Sequence, residues 1–277
     1  MNTFQKVIKY LAMAFALFLS ISIIGGIVRV LASVSSFGSK NTVGEMKTYT
    51  VSENIESIQV EIRAADFVIQ TGDAFLVESN QKYLTVEEKN AKLVISENEH
   101  SAFSGDYGEA KLILTVPNGF VFEDANISTG AGRVTVDTLS ANTLRLTLGV
   151  GETKIENLNA NTKADVEGGA GALTVNGGNL HNFDCDMGVG NLTLTSKITG
   201  NSSVDYGVGQ VKLVLLGSAD DYQIKLDKGL GEATLDGKKM QDDSVYGAGV
   251  NQLDMDGGVG GVEIRFSEEI TETAKDF

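Results

Sequence analysis

Apolar and polar residues alternate along most of the chain beyond residue 45. The segments 58–62, 84–86 and 93–95 follow this alternation, and residues 110–122 contain a Pro-Asn-Gly turn signal at 117–119. Alternation with a period of two, rich in β-branched residues, is typical of a strand that buries one face. Helix signals beyond residue 45 are scarce, so the pattern predicts an all-β protein.

A Gly-x-Gly frame recurs through the second half of the chain. Its copies are separated by 19, 20, 19, 19, 22, 18 and 11 residues. They begin at Gly130, Gly149, Gly169, Gly188, Gly207, Gly229, Gly247 and Gly258. A repeat of this length indicates stacked units, each of which buries its apolar side chains against its neighbours.

The residues around each frame repeat as well. Counting from the second glycine, the second and fourth residues are nearly always apolar, as in Val134 and Val136. Glycine reaches positive φ and lets backbones approach closely, so each unit is interpreted as strand, glycine corner, strand. Asparagine tolerates the left-handed conformation and recurs near the opposite corner, at Asn142, Asn161, Asn182 and Asn201. The predicted fold is a β-solenoid, a β-helix-like stack of rungs about 19 residues long.

Calcium-binding β-rolls are a second interpretation of the glycines. Such rolls need an aspartate in each Gly-Gly-x-Gly-x-Asp loop to hold the metal. Leu173 and Val262 occupy that position in the two nearest matches. We therefore favour the solenoid.

The first 45 residues differ in composition. Residues 10–28 carry no charge and have about the length needed to cross a hydrocarbon core. We predict a cytoplasmic stub and transmembrane helix over 1–32, a tether over 33–45, an N-terminal β region that caps the solenoid over 46–124, and repeats with a C-terminal tail over 125–277. Lys6 and Lys9 favour a cytoplasmic N-terminus and an extracytoplasmic bulk. A cleaved signal peptide is the alternative, although the apolar run is long and Arg29 follows it.

Three features together resemble the bacterial putative-adhesin β-strand-repeat family, a domain of unknown function. They are the stretch IRAADFVI at 62–69, the turn LTVPNG at 114–119 and the repeated Gly-x-Gly units. The resemblance spans residues 46–266. It implies a β-solenoid at the cell envelope with a role in adhesion or envelope stress, and it implies no catalytic residues.

A column of acidic side chains is the main candidate for chemistry. The residues two before each first glycine are predicted to face outward, and they are Ser128, Thr147, Glu167, Asp186, Asp205 and Asp227. Stacking would bring like charges within about 4.8 Å, which is unfavourable. We interpret the four carboxylates as a solvated face that keeps a chain of net charge −15 soluble. The alternative is a ladder for divalent metal cations, since carboxylate oxygens suit Ca²⁺ and Mg²⁺.

Other reactive side chains fit structural roles. Cys185 lies in an apolar column and is predicted to fill the core. His100 and His181 fall in predicted loops and are expected to lie at the surface without forming a metal site. Tyr206 and Tyr246 each precede a glycine frame directly and are expected to seal the corner. No cofactor is predicted.

These patterns predict a membrane-anchored, non-catalytic surface module rather than an enzyme. Its expected partners are the lipid bilayer, through residues 10–28, and an envelope or surface protein. Nucleic acid is not expected, because the acidic charge repels phosphate. A polysaccharide-active β-helix enzyme is the remaining alternative. Such an enzyme needs paired carboxylates or a basic residue in a groove, and the rungs are too uniform to contain such a site.

Overall fold

The all-β prediction is confirmed by the computed structural model, which describes residues 43–97 and 110–267. Fifteen strands join in a single sheet, and one short 3-10 turn spans Ala219–Asp221. The strands are β1 Val43–Thr50, β2 Ser57–Gly72, β3 Leu76–Gln81, β4 Leu84–Lys89, β5 Lys92–Glu97, β6 Lys111–Pro117, β7 Phe122–Val175, β8 Asn179–His181, β9 Phe183–Thr199, β10 Asn201–Leu216, β11 Tyr222–Leu230, β12 Ala233–Leu235, β13 Lys238–Lys239, β14 Ser244–Gly247 and β15 Asn251–Ser267.

Successive Gly-x-Gly segments lie on one another in parallel register, as the repeat predicts. Strand β10 pairs with β9 so that Gly209 lies opposite Gly190 and Val211 opposite Leu192. The same register joins β7 to β9. Because a register shift of one residue would turn every apolar side chain to solvent, this pairing is strongly specified.

The core lies between the two strand halves of each rung. Both predicted apolar columns are buried there, apart from Leu235, which is only partly buried. The buried members include Ile127, Leu146, Val166, Cys185, Val204 and Leu226 before the corner, and Val134, Ile155, Leu173, Leu192, Val211 and Val262 after it. Each fully buried aliphatic side chain contributes roughly 1.5–3 kcal/mol, so stability is distributed along the stack rather than held in one centre.

The parallel stack begins earlier in the chain than the predicted boundary at residue 125. Strand β2 pairs in parallel with β7 from Ser57 to Ile69. On its other side β2 pairs in parallel with β5 and β6. Antiparallel strands β4, β3 and β1 then close this end. The glycine repeat does not reveal this earlier rung, because β2 carries Arg63-Ala64-Ala65 at its corner in place of Gly-x-Gly. The tether prediction also ran too far, since β1 begins at Val43.

The order of rungs departs from chain order at the other end. Strand β15 lies between β10 and β11, in parallel with both. Strands β14 and β13 pair antiparallel with β11 and β12. Gly247 therefore ends β14 and does not form a rung corner, which corrects the interpretation of that copy and explains its irregular spacing.

The recurrent asparagines form a ladder at the corner opposite the glycines. The Asn161 side-chain amide donates to Asn142 Oδ1 at 2.9 Å, and Asn142 donates to Glu123 at 2.9 Å. Asn182 Oδ1 accepts from the Asn201 backbone N–H at 3.0 Å. Of the four predicted asparagines only Asn182 has positive φ, at 48°. The left-handed explanation thus holds for one of them, whereas the side chains of Asn142, Asn161 and Asn182 all form hydrogen bonds to neighbouring rungs.

Several predictions fall on residues outside the described ranges. These are the membrane helix at 10–28, the tether over 33–42 and the position of His100. Within 43–97 and 110–267, no helix has the length and apolar character required to traverse a bilayer.

The second glycine of each frame is fixed by backbone contact. Gly209 has φ of 154°, and a Cβ built on it would collide with the carbonyl oxygen of Gly190 in the next rung. Such φ values are essentially restricted to glycine. The corner therefore requires glycine for two separate reasons, conformation and space.

Replacing Gly209 by alanine measures how much stability the corner loses when a side chain is placed there. Backbone strain and overpacking together should lower the free energy of unfolding by about 2–6 kcal/mol. Gly237→Ala is the matched control, because Gly237 has φ of 73° with no atom near its Cβ position; it should lose only about 1–2 kcal/mol. Urea unfolding of both variants measures the difference, and equal losses would show that rungs do not touch at the corner.

Candidate functional site

The predicted acidic residues lie in one column, with one addition. Glu167 lies opposite Asp186, and Asp186 lies opposite Asp205. Asp205 then faces Asp256, and Asp256 faces Asp227. We call these five residues the carboxylate column. Chain order suggests that Asp227 lies next to Asp205. Asp256 separates them instead, because β15 lies between their strands.

Asp256 was missed although the same counting rule finds it. It stands two residues before Gly258, as Asp205 stands two before Gly207. The irregular spacing around Gly247 hid the equivalence. Ser128 is one of the two uncharged residues in the predicted column, and it lies opposite Glu61 of β2.

No member of the carboxylate column has an ion-pair partner within the described part of the chain. Burial raises the pKa of Asp205, and the neighbouring charges of Asp256, Asp186 and Asp184 raise it further. Like charges directly opposite each other on paired strands are destabilising. The column is thus a surface of uncompensated negative charge.

A second set of carboxylates, beside the column, is compensated. Lys163 bridges Asp165 at 2.7 Å and Asp184 at 3.2 Å, and Arg145 donates to Asp165 at 3.1 Å. Partial burial raises the pKa of Asp165, but hydrogen bonds from Lys163 and Arg145 outweigh burial and hold that pKa below its usual value. The pKa of Asp165 is therefore shifted in the opposite direction from the pKa of Asp205.

The column does not have the arrangement of a metal centre. Among residues 43–97 and 110–267, no group of three or more His, Cys, Asp or Glu side chains is placed to hold a metal ion. A straight ladder presents its carboxylates side by side, whereas Ca²⁺ needs six to eight oxygens converging around one point. The geometry does not favour the divalent-cation alternative.

A shallow apolar groove follows the glycine corners of neighbouring rungs. It is lined mainly by glycines and small side chains, including Gly130, Ala131, Gly149, Gly169, Ala170 and Gly171. Its cavity volume is about 20 Å³, which is room for one or two water molecules. This groove is a consequence of the close backbone approach rather than a cleft for a substrate.

The remaining candidate residues are mostly structural. Cys185 is 2% exposed, and burial, followed by the charges of Asp186 and Asp205, raises the pKa of its thiol to about 12. Such a thiol is not a nucleophile at neutral pH. Cys185 fills the core as predicted.

Tyr206 also fits its prediction, since it is buried at the corner and its ring covers Gly257 on the next strand. Tyr246 differs. It lies in β14, away from any rung corner, and its hydroxyl accepts from the Gln241 backbone N–H. His181 is not in a loop but ends β8, half-buried, with Nδ1 3.0 Å from Thr199 Oγ1.

The described residues form a stacked-β module without a deep cleft, and the sequence assigns the chain to a family. The chain belongs to the Toastrack DUF4097 family, whose profile matches residues 52–254. Comparison with curated proteins finds no match.

Several solved structures are similar at low identity. A putative cell adhesion protein from Clostridium sporogenes is 13% identical, with 80% of this chain and 99% of that chain covered and a TM-score of 0.36. A putative adhesin from Bacteroides fragilis is 15% identical, with coverages of 79% and 96% and a TM-score of 0.40. A putative lipid binding protein from Parabacteroides distasonis is 12% identical, with coverages of 83% and 98% and a TM-score of 0.36.

Neutralising Asp205 should stabilise the protein. Asp205→Asn removes repulsion from both neighbours in the column and should raise the free energy of unfolding by about 0.2–1 kcal/mol at neutral pH and low salt. Because the folded-state pKa of Asp205 is raised, its destabilising effect is present above that pKa and disappears as pH falls through it. The gain should therefore shrink toward acidic pH and in high salt.

Asp165→Asn is the matched control, and its expected change in the free energy of unfolding has the opposite sign. Its folded-state pKa is lowered, so its stabilising effect is present above the unfolded pKa and is lost as pH falls through the folded pKa. This variant should be less stable than the parent at neutral pH. Urea unfolding across pH and salt measures both, and a loss of stability in Asp205→Asn would contradict the repulsion.

Proposed function

We propose that this protein is a membrane-anchored, extracytoplasmic and non-catalytic β-solenoid that binds an envelope or surface protein, as an adhesin or a component of the response to envelope stress. The apolar residues 10–28 would cross the membrane with the N-terminus in the cytoplasm, as the lysines at 6 and 9 favour. The rungs would then stand outside the cell.

The observation that carries this proposal is the unbroken register from β2 through β15. Each rung places its outward side chains directly above those of the next, so the surface consists of straight ladders on a rigid backbone. Such a surface suits contact with another macromolecule, because its side chains are already ordered before binding. The corner groove, with room for one or two waters, does not suit a substrate.

The carboxylate column gives that surface a definite charge. Five acidic residues, free of ion pairs within the described ranges, lie on one face of the rung stack. Uncompensated charge of one sign steers association with partners of opposite sign. We therefore place the binding surface on this face and expect a partner with basic side chains.

The topology can be tested by labelling intact cells with a membrane-impermeant maleimide. Val250 is 86% exposed, so Val250→Cys should react in intact cells. Phe4→Cys, on the other side of the proposed anchor, should react only after lysis. The parent protein is the control, because its single cysteine is buried and should not react. Labelling of Val250→Cys only after lysis would overturn the extracytoplasmic placement.

The binding surface can be tested by cell adherence or by capture of an envelope partner. The triple variant Asp186→Asn, Asp205→Asn and Asp256→Asn should lose most binding and its salt dependence, because the steering charge is gone. Glu53→Gln, Asp73→Asn and Glu87→Gln remove the same charge from exposed positions elsewhere and should bind like the parent. Equal losses in both triple variants would mean that net charge, rather than the carboxylate column, governs binding.

A further inference from the structure

Strand β15 occupies a place that chain order does not give it. It pairs with β10 from Gln252 to Ser267 and with β11 from Asn251 to Val259, in parallel on both sides. Both neighbours precede it in the chain. The position between β10 and β11, which we call the β15 slot, is therefore filled by the last described strand, which must enter between two strands made earlier.

The two strands that flank the β15 slot present the same pattern of residues to it. Asp205 and Asp227 both lie opposite Asp256. At the corner, Gly209 on one side and Gly231 on the other both lie against Gly260. The buried Val204 and the buried Leu226 both lie opposite Met255. Both edges of the slot therefore pair with β15 in the same register.

The slot is also selective for the strand that fills it. A Cβ at Gly258 would collide with the backbone of Gly207, and one at Gly260 with the backbone of Gly209. Leu253, Met255, Val262 and Ile264 supply the buried side chains. A strand must carry glycines and apolar residues at these spacings, and another copy of β15 satisfies every requirement.

The connection between β15 and the preceding strand of its own chain is short. The connection from β14 into β15 consists of residues 248–250 and contains the exposed Val250, and short hinge loops under strain favour exchange of the element that follows them. Gly249 presses this turn against the backbone of Asp221 and Tyr222, where any Cβ would collide.

We propose that β15 exchanges between two copies of this chain, each inserting its β15 into the β15 slot of the other. Every contact of β15 with β10, β11 and β12 is the same in the exchanged dimer, and only the connection at 248–250 changes. Domain swapping of this kind is governed by the hinge, because the exchanged element itself keeps its interactions.

The test uses two full-length chains in detergent, each with one added cysteine and a different affinity tag. One carries Lys212→Cys and the other Glu263→Cys, positions that face each other across β10 and β15. A disulfide between the two chains forms in register only when β15 of one copy lies in the slot of the other. Lys212→Cys and Glu263→Cys within one chain is the positive control for geometry, and Thr135→Cys with Glu263→Cys in separate chains is the control for random contact.

After co-refolding and mild oxidation we expect a disulfide-linked heterodimer well above the Thr135→Cys control. Gly249→Ala in both chains should increase it roughly tenfold, which corresponds to about 1.4 kcal/mol of hinge destabilisation. Ala248→Ser, in the same turn but exposed, should leave it unchanged. If the single-chain control crosslinks while neither parent-hinge nor Gly249→Ala pairs exceed the random control, strand exchange does not occur.

Discussion

Contact between the backbones of successive rungs at the glycine corner is the interaction on which the rest of the structure depends. In every frame that forms a rung corner, the second glycine lies so close to the carbonyl of a neighbouring rung that no side chain fits between them. This contact fixes register, and register in turn places every apolar side chain inside and every carboxylate of the column outside. A slip at the corner would thus disturb the core and the surface together.

Strict stacking has an electrostatic consequence. Any acidic residue that recurs in the repeat must meet its own equivalent in the next rung. Where Lys163 and Arg145 lie nearby, the charge of Asp165 is compensated. At Asp186, Asp205 and Asp256 the column carries uncompensated charge instead, which costs stability but keeps the face hydrated and gives it a sign that a partner can recognise.

Both ends of the stack use the same solution to the problem of open strand edges. At each end the chain forms one rung and then an outermost rung, against which antiparallel strands pair. It then returns toward the middle of the stack, as β7 beside β2 at one end and as β15 between β10 and β11 at the other. At the N-terminal end the outer rung is β5 with β6, and at the C-terminal end it is β11 with β12. Antiparallel strands cover edges that parallel rungs would otherwise leave open to aggregation.

The sequence by itself determined the strand content, the rung length, the buried columns and the identity of most outward carboxylates. These follow from period-two alternation and from glycine spacing, which are local properties. Only the tertiary structure decided that β15 lies between β10 and β11, that Asp256 joins the carboxylate column, and that β2 belongs to the stack despite the corner Arg63-Ala64-Ala65. The physical reason is that equivalent rungs have equivalent edges, so spacing along the chain can say which segments are able to stack but not which of them become neighbours.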